Sequence, residues 1–406
     1  MTALATSVIV VSRHRPDALM RCLVALTQQD HPLFEIIVVA DPAAVAVVQT
    51  MGLAIKTVIF DQANISAARN AGLAVAAAPV VAFIDDDAVA ESTWLSRLTA
   101  PFADRAVIAA TGFIRGRNGI SFQWKACLVD ALGQDHPLEA PETLLHQGTS
   151  ERAVKTQGTN CAFRRDSLLA VGGFDASYRF YLDEADVNLR MAPLGLTAIV
   201  PIAQVHHGYA ASDRRRIDRV PLSLYDIAAS TVIFLRRHTP QADLVSAFAA
   251  LMLRESARAK HHLVAGRIGT DEVAALMASL HAGWAEGLKA VLPTMTALPD
   301  GTALFAPFPN TAARGGKVIS GRIWQKNRLI ADAKAAVAKG QIVTVICLSP
   351  SIRAHQMQFQ TAGYWLQTGG LFGRSLRETS RIRLIGFRRR IAQETARIAD
   401  LRPTTD

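Results

Sequence analysis

Apolar positions fall into two periods along the first two hundred residues. Short β-branched runs recur at 7–11 (SVIVV), 35–39 (EIIVV), 55–60 and 80–84 (VVAFI). Their length and composition predict buried strands. Between them the spacing becomes helical. Leu19, Leu23 and Leu26 mark one face over 16–28, and an Ala-rich stretch over 65–78 stops at Pro79. Strands joined by helical crossovers of about a dozen residues imply parallel pairing and a sheet covered on both faces. Ligands of such sheets bind beyond the carboxyl ends of the strands, so those ends are where chemistry is sought.

The pattern changes after residue 210. Helices are predicted over 222–235, 242–263 and 271–291, several with basic faces. A Pro/Gly-rich stretch at 298–316 predicts a boundary. Beyond it come a helix over 322–339 ended by Gly340, a strand over 342–348 (IVTVICL), and a basic helical segment over 374–397. No internal repeat is visible.

Composition narrows the class. Of 406 residues, 50% are hydrophobic and 19% charged, enough to bury a sizeable core and too apolar for a disordered chain. Cys22, Cys127, Cys161 and Cys347 lie far apart and suggest reduced thiols in a cytoplasmic protein. The apolar run at 8–11 is too short for a secretory h-region, and arginines follow it, so no secretory signal is expected. No stretch reaches the ~18 apolar residues of a membrane span.

The net charge of +10 is uneven. Residues 1–210 hold 16 Lys and Arg against 20 Asp and Glu; residues 211–406 hold 28 against 14. The basic half suits a polyphosphate ligand or an anionic bilayer, and no RNP-like or zinc-finger motif points to nucleic acid. In the tail, Arg381, Arg383, Arg388, Arg389 and Arg390 interleave with Ile382, Leu384, Ile385 and Phe387. That pattern suits either an anionic leaflet or an ordinary surface helix.

The end of the fourth predicted strand reads Asp85-Asp86-Asp87. Adjacent carboxylates repel one another unless a cation or hydrogen-bond donors sit among them. Oxygen ligands at that place suit Mg²⁺ or Mn²⁺, ions that also take substrate phosphates. His206 and His207 are candidates to complete a metal site, and neighbours on a strand would point to opposite faces. Asp213-Arg214-Arg215-Arg216 suits a clamp on a diphosphate or a solvated charge run.

These residues resemble glycosyltransferase family 2. The resemblance is carried by the opening strand with Arg15-Pro16 and Gln29, by the strand ending in Asp41, and by Ala68-Arg69-Asn70-Ala71-Gly72 followed by Asp85–Asp87. It continues through 158–165 (GTNCAFRR), 172–175 (GGFD), 181–190 (YLDEADVNLR) and His206-His207-Gly208, covering about residues 5–212. It implies an α/β GT-A fold with a Rossmann-like, mostly parallel sheet in a catalytic domain over 1–212. A helical region (213–298) and a small accessory α/β unit with a basic tail (299–406) would follow.

The resemblance also implies inverting transfer from a nucleotide-diphosphate sugar to a glycan or lipid-linked acceptor. The setting it implies is cell-surface polysaccharide or glycolipid synthesis in the cytoplasm, peripheral at the inner face of the membrane. Carried onto this chain, Asp87 is the metal ligand with His206 or His207. Asp41, Arg69, Asp85 and Asp86 serve the nucleotide sugar. Asp186 is the base, with Glu184 the rival.

The chain departs from the family pattern at Ala40, Pro42-Ala43, Ala185 and Asn188. Ala40 and Ala185 keep open a non-catalytic binding module on a transferase scaffold. A nucleotidyltransferase is opposed by 12–16 (SRHRP), which has no glycine after the first strand.

Overall fold

The computed structural model describes residues 3–208, 214–309 and 314–403. The predicted strands form as β1 (Thr6–Val11), β2 (Phe34–Ala40), β3 (Ile55–Ile59) and β4 (Val80–Asp85), all parallel, in the order β4-β1-β2-β3. Helices α1 (Pro16–Leu26), α2 (Pro42–Thr50) and α3 (Ile65–Val75) make the crossovers. Pro16 sits at the start of α1, where its missing N–H leaves nothing unsatisfied. The α3 helix stops three residues short of the predicted 78. Pro79 disfavours helical backbone before it, and the N–H groups of Ala77 and Ala78 turn to Glu35 and Ser7 instead.

Strand β5 (Ala88–Ala90) follows β4, and β6 (Val107–Arg115) extends the sheet. The strand Cys161–Arg164 lies between β4 and β6, antiparallel to both. The strand Leu196–His207 pairs parallel to β6 and antiparallel to β5. Apolar side chains cover both faces. Val8, Val10, Ile36 and Val38 pack toward α1 and α2, and Ile9, Ile37, Val39 and Phe83 toward α3. This is the mostly parallel α/β architecture expected.

The helical region forms as Tyr225–His238, Leu244–Val264 and Thr270–Lys289, packed around Val232, Leu251, Leu280 and Trp284. A small sheet follows. Its strands Gly316–Arg322, Ile342–Ser349 and Tyr364–Gly370 are parallel, and Gln356–Phe359 is antiparallel at one edge. The basic segment departs from expectation, since only Phe387–Ile398 is helical. Upstream, Ile382 and Leu384 alternate with arginines at a spacing of two, which gives a helix no apolar face. None of the helices among the described residues is long and apolar enough to cross a membrane.

The stretch around residue 300 is not a loose boundary. The Leu298 N–H bonds the Leu169 carbonyl, Arg165 pairs with Asp300 at 2.6 Å, and Phe308 stacks on Phe34. The Ala306 N–H reaches the buried Glu35, which also holds Ser7, Ala77 and Lys56. One carboxylate thus ties together three sheet elements and the returning chain.

Candidate active site

The carboxyl ends of β1, β3 and β4 open into a cleft of ≈ 480 Å³. Asp85 ends β4 and Asp86 and Asp87 stand in the turn after it, where the three consecutive acids separate. Asp85 and Asp87 line the cleft. Asp86 turns away onto Ser12 Oγ and Arg15, 2.6 Å from each, and is wholly buried. Burial, reinforced by Asp87, pushes its pKa up to about 7 against the pull of Arg15. Asp86 is therefore a support of the strand end and does not line the cleft where a nucleotide sugar would sit.

Strand alternation divides the histidine pair. His207 faces the cleft with Nε2 3.2 Å from Asp87 Oδ1, and donor atoms of Asp85, Asp87 and His207 all lie within 4.8 Å of one another. Burial works to lower the His207 pKa, but the Asp87 bond and the two carboxylate charges outweigh it and raise it. Burial raises the Asp85 pKa, and Arg69 opposes this. Two carboxylate oxygens and an imidazole nitrogen at this spacing fit a divalent cation such as Mn²⁺ or Mg²⁺.

His206 is not part of that set. It points to the opposite face, where Nε2 lies 2.7 Å from Glu91 Oε1 and its ring lies on Trp365. The same strand geometry that brings His207 in carries His206 out.

The acidic segment resolves in the same way. The helix Asp183–Met191 begins after Tyr181 and Leu182, both with left-handed backbone at φ 74° and 66°. Such strain in non-glycine residues marks a tightly determined turn. It aims Asp183 and Glu184 at Arg69, with Glu184 Oε1 3.1 Å from Arg69 Nη2 and 3.1 Å from the Gly158 N–H. Arg69 is in turn 3.8 Å from Asp85. A Cβ at Gly158 would meet the ends of both Arg69 and Glu184 and displace them.

Burial and the neighbouring Glu184 raise the Asp183 pKa well above the carboxylate range. Burial also acts upward on Glu184, but Arg69 and the Asp183 bond hold it below its ordinary value. Asp186 lies roughly 200° around the helix from Glu184. It is fully buried, 2.6 Å from Arg190 and 2.9 Å from His238, and does not line the cleft. Glu184 is likewise absent from the cleft lining, so the two expected candidates for the base differ in their partners. The lone pairs of Asp186 are taken by two cationic or donor partners, whereas Glu184 stands next to the Asp85–Arg69 pair.

Asp41 caps α2 through the Ala44 N–H and also accepts the His14 N–H at 2.7 Å. It is 3% exposed and is not among the lining residues. Ala40 lies buried in the sheet core, and Ala185 packs with Tyr178, Leu189 and Phe234. Neither departure from the family pattern removes an acid from the cleft.

Other lining residues escaped the sequence reading. Phe60, Phe180 and Tyr181 supply aromatic surface, and Arg13, Arg15 and Arg258 supply positive charge. Arg258 comes from Leu244–Val264, so the helical region walls the cleft; its basic face was the only signal. Arg214 and Arg215 line the cleft as the clamp reading expects. Arg216 instead pairs with Asp218 at 3.0 Å, and Asp213 lies outside the described residues.

Residues 7–172 match the family model described as glycosyl transferase family 2. No curated protein matches the chain. Among solved structures, GalNAc-T7 with UDP, GalNAc and Mn²⁺ aligns at 16% identity over 58% of this chain and 48% of that one, with a TM-score of 0.44. Staphylococcus aureus TarS 1–349 in complex with UDP aligns at 16% identity over 59% of this chain and 67% of that one, with a TM-score of 0.41. The mannosyltransferase PcManGT from Pyrobaculum calidifontis, in complex with GDP-Man and Mn²⁺, aligns at 18% identity over 70% and 86%, also with 0.41. The chain spans about half the length of the first of these, at 48%. The helix bearing Glu184 and the strand bearing His207 lie beyond the matched residues, so their assignment stands on geometry alone. Residues 7–172, which resemble that family, supply Arg69, Asp85 and Asp87.

Proposed function

We propose that this protein transfers a glycosyl group from a nucleotide-diphosphate sugar to a hydroxyl acceptor with inversion. The observation that carries the reading is the Asp85–Asp87–His207 cluster at the mouth of an arginine-bearing cleft, on a domain that resembles glycosyltransferase family 2. Asp85, Asp87 and His207 would hold Mn²⁺ or Mg²⁺, which supplies neutralisation of a diphosphate leaving group without proton transfer. Arg13, Arg15 and Arg258 add fixed positive charge along the same wall.

Glu184 would take the proton of the acceptor hydroxyl, the role expected at first of Asp186. As that proton leaves, the acceptor oxygen bonds the anomeric carbon from the face opposite the diphosphate. The carbon–oxygen bond to the diphosphate breaks, and the nucleoside diphosphate departs with the electron pair. Arg69 keeps Glu184 ionised and aimed, and the Gly158 N–H fixes its carboxylate.

Isothermal calorimetry with UDP and GDP, with and without Mn²⁺, tests the reading. Metal-dependent binding by the wild type that vanishes in Asp87→Ala is expected, because a hard cation loses a charged oxygen ligand. Equal affinities with and without Mn²⁺, or in the variant, would reject it. The anomeric configuration of the product, read by NMR, tests inversion.

A further inference from the structure

A second, polar pocket of ≈ 310 Å³ lies where the C-terminal unit meets the catalytic sheet. Arg21 of α1, Arg117 and His206 wall it on one side, and Gln358 and Thr361 of the C-terminal unit on the other. Asp87 and His207 line both this pocket and the first cleft, so the two spaces meet at the carboxylate–imidazole cluster.

His206 shows what the pocket would take. It is 7% exposed, and Glu91, held on its other side by Arg402, accepts a hydrogen bond from Nε2. That occupies Nε2, and the buried Nδ1 has no partner among the described residues. An orphaned buried polar atom is costly, and a ligand hydroxyl, which can donate or accept, would satisfy it. Arg21 has no acidic partner among the described residues, and its guanidinium, with that of Arg117, favours an anion. Gln358 and Thr361 offer amide and hydroxyl groups from exposed positions.

We propose that this pocket binds the non-reacting part of the acceptor, a hydroxyl-rich group bearing an acid, either a carboxylate or a phosphate. The reacting hydroxyl would extend past Asp87 and His207 into the first cleft. The C-terminal unit is then half of an acceptor site, and the inference rests on the donor reading of the first cleft.

Ligand-observed NMR titrations on the full chain test this, with methyl β-glucuronide, sn-glycerol 3-phosphate and the uncharged methyl β-glucoside as probes. At least one charged probe should bind more tightly than the glucoside, and which one does identifies the acid. Arg21→Ala should weaken that binding by about tenfold, the loss expected for one charge-assisted hydrogen bond, and Thr361→Trp should weaken it at least as much by filling the pocket. Their melting temperature and Mn²⁺-dependent nucleotide affinity should stay at wild-type values. Should Thr361→Trp unfold, Gln358→Ala repeats the test from an exposed strand position. No binding of either charged probe, or equal binding by wild type and variants, overturns the proposal. Absence of nucleotide binding in the wild type overturns the donor reading instead and leaves the probe titrations to stand on their own.

Discussion

At the scale of single residues, neighbours in sequence do opposite things. Glu184 and Asp186 sit on one helical turn, yet one bonds Arg69, which lies 3.8 Å from Asp85, while the other closes a buried cluster with Arg190 and His238. Glu184→Gln should therefore lower the transfer rate by roughly 10²–10⁴, the usual contribution of a positioned base, with little change in melting. Asp186→Asn should leave transfer near wild type and cost on the order of 3 kcal/mol of stability, because Arg190 loses its buried counter-ion. Steady-state kinetics and urea unfolding of both variants check this. A collapsed rate in Asp186→Asn at wild-type stability would return the base to Asp186.

His31 makes a pH prediction at the same scale. Burial lowers its pKa from 6.5 to about 4. Between those values the unfolded chain binds a proton that the native chain does not. Stability is thus unaffected above about pH 7 and falls as the pH drops, by on the order of 3 kcal/mol at pH 4. His31→Gln removes this contribution, so the urea midpoint of the variant should decline less between pH 7 and pH 5 than that of the wild type. Parallel declines would show that His31 titrates normally.

At the scale of elements, strand and helix ends decide which groups meet. Asp41 ends β2 and begins α2, and its carboxylate serves the Ala44 and His14 N–H groups. Asp41→Ala should destabilise by about 1–2 kcal/mol, the cost of a lost cap and a second unsatisfied donor, whereas Asp41→Asn, which keeps an acceptor oxygen, should lose much less. Thermal unfolding separates the two. Equal stability of both variants would argue that the role of Asp41 is at the nucleotide, as the sequence pattern suggests.

At the scale of the whole molecule, the units lock through groups distant in sequence. Arg402 pairs with Glu91 through two nitrogens at 2.7 and 2.8 Å, stacks over Trp365, and bonds Thr344. Around it Ala25, Val89 and Ile120 meet Met357, Phe359 and Ile398. Arg402→Met would leave Glu91 buried with only His206, a loss of about 3–5 kcal/mol. Limited proteolysis should then cut the C-terminal unit ahead of the catalytic domain. An unchanged digestion pattern would show that the apolar contact alone joins them. The basic tail is likewise partly interior. Arg390 is wholly buried against Ser375 and Glu394, leaving Arg381, Arg388 and Arg389 on the surface.

The sequence by itself determined the strands and helices of the first domain. Buried parallel strands must be continuous apolar runs, and their crossovers must carry a helical stripe. It also pointed to Asp85, Asp87 and a histidine near 206, because adjacent acids at a strand end repel one another unless a cation or donors sit among them. Only the tertiary structure decided which of His206 and His207 turns in, that Asp86 turns away, and that Glu184 and Asp186 take different partners. Each choice hangs on which face of a strand or helix meets the cleft, and the partners that fix the face lie far off in the chain. Arg69 is 115 residues from Glu184, and Glu91 is 311 from Arg402. No local spacing encodes such pairs; they exist only once packing has closed the chain on itself.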